Sequence, residues 1–176
     1  RTPVQTAEAK LLGPSRDDAM RALALKIWMI ENAEHTVDMV YYIFKNDLVG
    51  QAMLGALCNA VQRGVDVRLM VDAIGSFSMA HNNLRKLQNC ALDAGYMRDA
   101  NGMMTSYKAR IQTIVINALT SLSSGINRRS HDKLLLIDGT FPNKDFVITG
   151  GRNISLDYYG LEPDGKPDPK AYRDLE

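Results

Sequence analysis

The sequence predicts an α/β fold, a mixed β-sheet flanked by helices, and three observations carry that expectation. Runs with helical apolar spacing alternate with short β-branched runs. Gly64 and Gly95 stand just past two of the helical runs, where glycine ends a helix cheaply. The order strand–helix–strand over residues 36–72 calls for a parallel pair with a right-handed crossover. With 176 residues, the chain is long enough for one domain with its own core.

Residues 1–15 read as a loosely ordered lead and 16–176 as the domain. Ser15 caps a helix whose first turn holds Asp17 and Asp18, where the helix dipole favours anions. Met20, Leu23, Ile27 and Ile30 recur on one face of it, and Trp28 and Met29 are expected in the core. Residues 36–44 are β-branched and aromatic, hence a buried strand. Asn46 or Asp47 caps a second helix over 48–63, and 65–72 forms the next strand. A loop at 75–80 leads to a third helix at 83–94, a short strand at 96–98 and a loop at 99–106. Residues 107–122 are read as a helix on length, although Ile111, Ile114, Val115 and Ile116 also suit a strand. After a polar turn at 123–129, strands 133–137 and 146–149 pair across a turn at 142–145.

Net charge is +1, so no bulk field points to nucleic acid. No apolar stretch reaches bilayer-spanning length. Cys58 and Cys90 lie among apolar neighbours in helical patterns and are expected as buried free thiols rather than a bridge or a metal site. His35 and His81 read as structural or exposed, and Tyr158 and Tyr159 as packing residues. Arg128 and Arg129 form a solvated turn, with phosphate binding as the alternative. Met103 and Met104, in a loop, hint weakly at membrane contact.

The chemistry concentrates in His131-Asp132-Lys133-Leu134-Leu135-Leu136-Ile137-Asp138. Two residues apart on a strand, His131 and Lys133 point to the same face. An imidazole beside an ammonium suits an anion: lysine holds a phosphate oxygen while imidazole attacks phosphorus or moves a proton. Downstream, Gly150-Gly151-Arg152-Asn153 offers close backbone approach, free N–H groups and an amide. Asp138 lies seven residues from His131, an odd offset, so on a regular strand it faces away and is given a structural role.

His-x-Lys-x4-Asp followed by Gly-Gly-x-Asn resembles the phospholipase D superfamily signature. Val40-Tyr41-Tyr42-Ile43-Phe44 and Val61-Gln62-Arg63-Gly64-Val65-Asp66-Val67-Arg68 are similar to that family's opening βαβ unit. Gly150-Gly151-Arg152-Asn153-Ile154 and Asp157-Tyr158-Tyr159 look most like bacterial cardiolipin synthases. The resemblance covers roughly 16–176 and implies a phospholipase D-like half-domain. By matched position, His131, Lys133, Asp138 and Asn153 belong to the catalytic motif, while Lys133, Gly150, Gly151 and Asn153 hold phosphate. Tyr172-Arg173-Asp174 resembles the family's aromatic-Arg-Asp segment, which makes Asp174 the expected partner of the His131 imidazole.

The implied activity is phosphodiester cleavage or phosphatidyl transfer on phospholipids through a phosphohistidine, with neither metal nor cofactor. The implied partners are a phospholipid and a second histidine–lysine half, from the same longer chain or a homodimer; alone, one half should be inactive. Peripheral contact with a bacterial membrane, at the inner membrane or its periplasmic face, follows from the same resemblance. A nuclease of the superfamily is the first alternative, less favoured by the near-neutral charge. A non-catalytic binding half-domain is the second.

Overall fold

The computed structural model describes residues 7–73, 75–76, 82–116, 130–141 and 143–176. Two expectations, those for His81 and for the 123–129 turn with Arg128 and Arg129, lie outside these residues. Ser15 caps α1 (Arg16–Asn32) by accepting from Asp18 N–H at 3.0 Å. Strand β1 (Thr36–Tyr41) follows, ending three residues short of the expected boundary. Asp47 caps α2 (Leu48–Gln62) from its Oδ1 to Gly50 N–H at 3.0 Å, and β2 is Asp66–Asp72. Next come α3 (Asn82–Cys90), β3 (Tyr96–Arg98) and β4 (Met104–Lys108). The last strands are β5 (Ile111–Ile116), β6 (Lys133–Ile137) and β7 (Phe146–Thr149).

The main sheet has the order β5-β2-β1-β6-β7. β1, β2 and β5 are parallel, while β6 runs antiparallel to β1 and β7 antiparallel to β6. The sheet is therefore mixed, as expected. Val37, Met39, Tyr41, Val67, Leu69, Val71, Leu135 and Ile137 are buried and form the core with Ala22, Met29, Ile30, Met53, Leu57 and Val61 of α1 and α2. The strict in-out alternation along β1 and β6 fixes register, since a one-residue slip would expose the whole core set.

Four expectations are corrected. Residues 111–116 are strand, not helix: their β-branched side chains complete a parallel ladder along β2, from Val67–Ile111 to Asp72–Ile116. Residues 104–106, placed in a loop, start β4, which pairs with β3. Cys58 and Cys90 are not free thiols: packing of α2 against α3 brings their Cα atoms to 5.4 Å and they form a disulfide. Trp28 is 50% exposed and meets Phe146 edge-on, because Met29 and Ile30, not Trp28, point to the sheet. The lead is anchored within 7–15, where Leu12 is buried and exchanges both backbone hydrogen bonds with Glu176.

Candidate active site

In this topology the C-terminal ends of β1, β2, β5 and β7 and the N-terminal end of β6 share one edge of the sheet. Lys133 pairs with Tyr41, the last residue of β1, and Leu134 with Thr149, the last of β7. His131 and the Gly150-Gly151-Arg152-Asn153 loop therefore emerge side by side, at the edge where parallel strands usually present ligand sites.

His131 is exposed, and its ring stacks on Tyr42 with centroids 4.3 Å apart. Lys133 is almost fully buried; its Nζ donates to the His131 carbonyl at 2.7 Å and lies 6.0 Å from the Tyr42 ring centroid. The ammonium is thus tied to the His131 backbone, and the Tyr42 ring lies beside both the ammonium and the imidazole. Thr149 Oγ1 donates to the Lys133 carbonyl at 2.9 Å, tying β7 to the same point. A cleft of about 340 Å³ opens here, lined by Val40, His131, Lys133, Thr149 and Gly150 among others.

Asn153 is buried and its Oδ1 accepts from Ile43 N–H at 2.9 Å. That leaves the amide nitrogen to face the Tyr158 hydroxyl. Ser76 Oγ accepts from Phe44 N–H at 3.0 Å and donates to the Tyr42 carbonyl at 3.2 Å. Ser76 and Asn153 together hold residues 42–44, and so the ring on which His131 rests.

Gly150 and Gly151 face residues 174–176. A Cβ at Gly150 would stand 2.2 Å from Leu175 O, and one at Gly151 would stand 1.9 Å from Asp174 Oδ1. Backbone and carboxylate fill the space that any side chain would need. Gly151 N–H also donates to Leu175 O at 2.9 Å. No hydrogen bond or ion pair joins Asp174 to His131 among the described residues. The Asp174 carboxylate instead abuts Gly151 and accepts from its own neighbour, Leu175 N–H, at 3.0 Å. The Leu12–Glu176 pairing on one side and the Gly151–Leu175 bond on the other fix this segment, and with it the direction of Asp174.

Asp138 closes the opposite end of β6. Its carboxylate accepts from Glu34 N–H at 3.0 Å, His35 N–H at 2.7 Å and Thr36 N–H at 2.8 Å, joining the α1–β1 connection to the end of β6. Asp138 is 2% exposed and has φ 51°, a left-handed turn that Asp tolerates better than most residues. Its own N–H donates to Thr36 O at 2.9 Å.

A buried polar network under the glycine loop has no counterpart in the sequence reading. Arg152 is fully buried, points away from the cleft and donates from Nη2 to Gly13 O. Glu176 forms an ion pair with Lys26, and its Oε2 lies 3.7 Å from Arg152 Nη1. Lys26 also donates to the Tyr159 hydroxyl at 2.9 Å. Burial pushes the Lys26 ammonium down to about 8, against the raising effect of Glu176. Lys26 falls in the helical pattern of α1, and nothing local marks it as buried; the Met29–Ile30 side of its helix was the available signal.

The family profile described as "Cardiolipin synthase, PLD-like domain" matches residues 27–162. A cardiolipin synthase of Geobacillus sp. (strain WCH70) is 34% identical over 133 residues, 76% of this chain and 22% of that protein. Cardiolipin synthase C of Escherichia coli (strain K12) is 32% identical over 146 residues, 82% of this chain and 28% of that protein. The chain thus spans about a quarter of the length of these relatives. Among solved structures, NucT from Helicobacter pylori superposes with TM-score 0.53 at 16% identity, covering 94% of this chain and 80% of that one. That likeness concerns the fold. From the matched profile and the identity to both synthases, the chain belongs to the phospholipase D superfamily, within its cardiolipin synthase, PLD-like domain family.

Proposed function

We propose that this chain supplies one histidine–lysine half of a phosphodiesterase active site acting on phospholipids, as a hydrolase or phosphatidyltransferase of cardiolipin synthase type. The observation that carries this reading is the edge-of-sheet cluster: exposed His131 on Tyr42, Lys133 bonded to the His131 carbonyl and the Gly150–Asn153 loop beside them, around an open cleft.

In this reading a phosphodiester seats one oxygen against Lys133, with backbone N–H groups of the glycine loop and the Asn153 amide nearby. The His131 imidazole attacks phosphorus, a P–N bond forms, and the P–O bond to the leaving alcohol breaks. A histidine from a second half, in the same longer chain or a second copy, protonates that oxygen and then deprotonates the water or alcohol that releases the phosphatidyl group. The protein chemistry requires no metal. Asp138 holds the fold, and Asp174 keeps the glycine loop close rather than holding the imidazole. The lipid substrate brings the protein to a membrane surface peripherally; no helix among the described residues is long and apolar enough to cross one. The Cys58–Cys90 disulfide favours an oxidising compartment such as the periplasmic face.

Incubation of the intact protein with phosphatidylglycerol vesicles and, separately, plasmid DNA, both in excess chelator, tests the reading. Release of glycerol or formation of cardiolipin, with DNA intact, is expected. Cleavage of DNA alone, or activity abolished by chelator, would reject it.

A further inference from the structure

A nucleophilic imidazole needs something to hold its ring. Among the described residues no carboxylate bonds to the His131 ring, and Asp174 is turned onto the glycine loop. The contact His131 does make is with an aromatic face: the Tyr42 ring lies 4.3 Å away between centroids, with the two planes 23° from parallel. Lys133 Nζ stands 6.0 Å from the centroid of the same ring, at the outer reach of a cation–π contact. One phenol therefore touches both cationic members of the site.

The backbone that carries this ring is fixed from two sides. The Tyr42 carbonyl accepts from Ser76 Oγ at 3.2 Å, and the next N–H, that of Ile43, donates to Asn153 Oδ1 at 2.9 Å. A Cβ at Gly75 would stand 2.2 Å from Tyr42 O, so glycine lets the 75–76 turn close on that carbonyl. Lys133 is fixed as well, through its bond to the His131 carbonyl at 2.7 Å. The other charged group lining the cleft, Asp132, is engaged with Ser130, whose Oγ donates to its carboxylate at 2.6 Å.

The chemistry gives such a ring more to do than packing. When the imidazole donates a nitrogen lone pair to phosphorus, a P–N bond forms and the ring takes on positive charge. The electrons of the breaking P–O bond leave with the alcohol oxygen, which the second half protonates. An aromatic face attracts a charged imidazole ring more strongly than a neutral one, so the contact tightens as the reaction proceeds. We propose that Tyr42 is a positioning residue for this reaction: its ring sets the orientation of the His131 imidazole and supports the charge that the imidazole gains. The proposal rests on the phosphohistidine reading above.

Proton NMR of the intact protein tests the stack without any turnover. His131→Ala identifies the His131 ring signals. Their displacement to high field by the Tyr42 ring current is expected in the wild type and in Tyr42→Phe, and its loss in Tyr42→Leu. Tyr42→Met is a second ring-free variant, should the first fold poorly. Kinetics on phosphatidylglycerol vesicles form the second arm. The ring-free variants are expected to lower kcat about tenfold with KM within about twofold, while Tyr42→Phe, which keeps the face, stays within about twofold of wild type in both. Wild-type kcat in folded Tyr42→Leu or Tyr42→Met overturns the proposal, and so does a loss in Tyr42→Phe equal to theirs, which would assign the effect to the hydroxyl. A ring-current signature that follows the Tyr42 ring in a protein without phosphodiesterase activity would keep Tyr42 as the contact that orients His131 and reject the phosphodiesterase reading instead.

Discussion

His131 and Asp138 flank the two ends of β6, seven residues apart, and are built on opposite terms. At one end His131 is exposed, stacked on a ring, with its imidazole facing an open cleft. At the other, Asp138 is buried and accepts three backbone N–H groups. One contiguous motif thus holds an end left free for chemistry and an end fully used by the fold. Two residues of one motif stand at opposite ends of the strand with different surroundings, one open to a cleft and one saturated by backbone N–H groups.

Substitution at each end should separate the two roles. His131→Ala is expected to lower kcat by about four orders of magnitude while Tm stays near wild type, as an exposed side chain anchors little. Stopped assays and thermal melts on the intact protein check both halves of that statement. Asp138→Ala should do the reverse, costing about 3 kcal/mol of stability by orphaning buried N–H groups, with turnover per folded molecule retained. A stable but inactive Asp138→Ala would break the comparison.

A similar stability loss away from both ends calibrates the scale. Reducing Cys58–Cys90, which closes a loop of sequence separation 32, should cost about 3 kcal/mol and leave chemistry at His131 intact. Melts with and without reductant, with Cys90→Ser as control, measure it.

The smallest effect concerns the buried charges beneath the open end. Lys26 is pushed down to about 8 in the fold from 10.5, so between those pH values the unfolded chain binds more protons, and stability from this group rises with pH. Tyr41 and Tyr159, raised well above 10 by burial, act oppositely: above pH 10 the unfolded phenols ionise while the buried ones do not, and stability falls. Together these groups place a stability maximum near pH 10, where the rise from Lys26 meets the fall from the two phenols. Lys26→Met should flatten the rise but not the fall, as melts across pH would reveal.

Much of this was legible in the sequence because it is local. Strands β6 and β7 are bounded as the alternation of Leu135 and Ile137 and the turn residues require, and Asp138 was separated from His131 by parity alone. What was missed depends on partners distant in sequence. Residues 111–116 carry an apolar run that suits helix or strand, and the neighbouring β2 edge decided for strand. Cys58 and Cys90 meet because α2 packs on α3, which neither helix announces. Asp174 was located in the chain, yet its direction is set by hydrogen bonds from Leu12 and Gly151 on either side. Tyr42, across the strand from buried Tyr41, was within reach of the alternation rule; its stacking on His131 was not.

Trapping the intermediate tests whether His131 is the nucleophile. The intact protein is quenched during turnover of phosphatidylglycerol, digested, and the peptides are mapped by mass spectrometry. An acid-labile phosphatidyl adduct on the peptide carrying His131, absent in His131→Ala, is expected. An adduct on any other residue, with His131 unmodified, would contradict it.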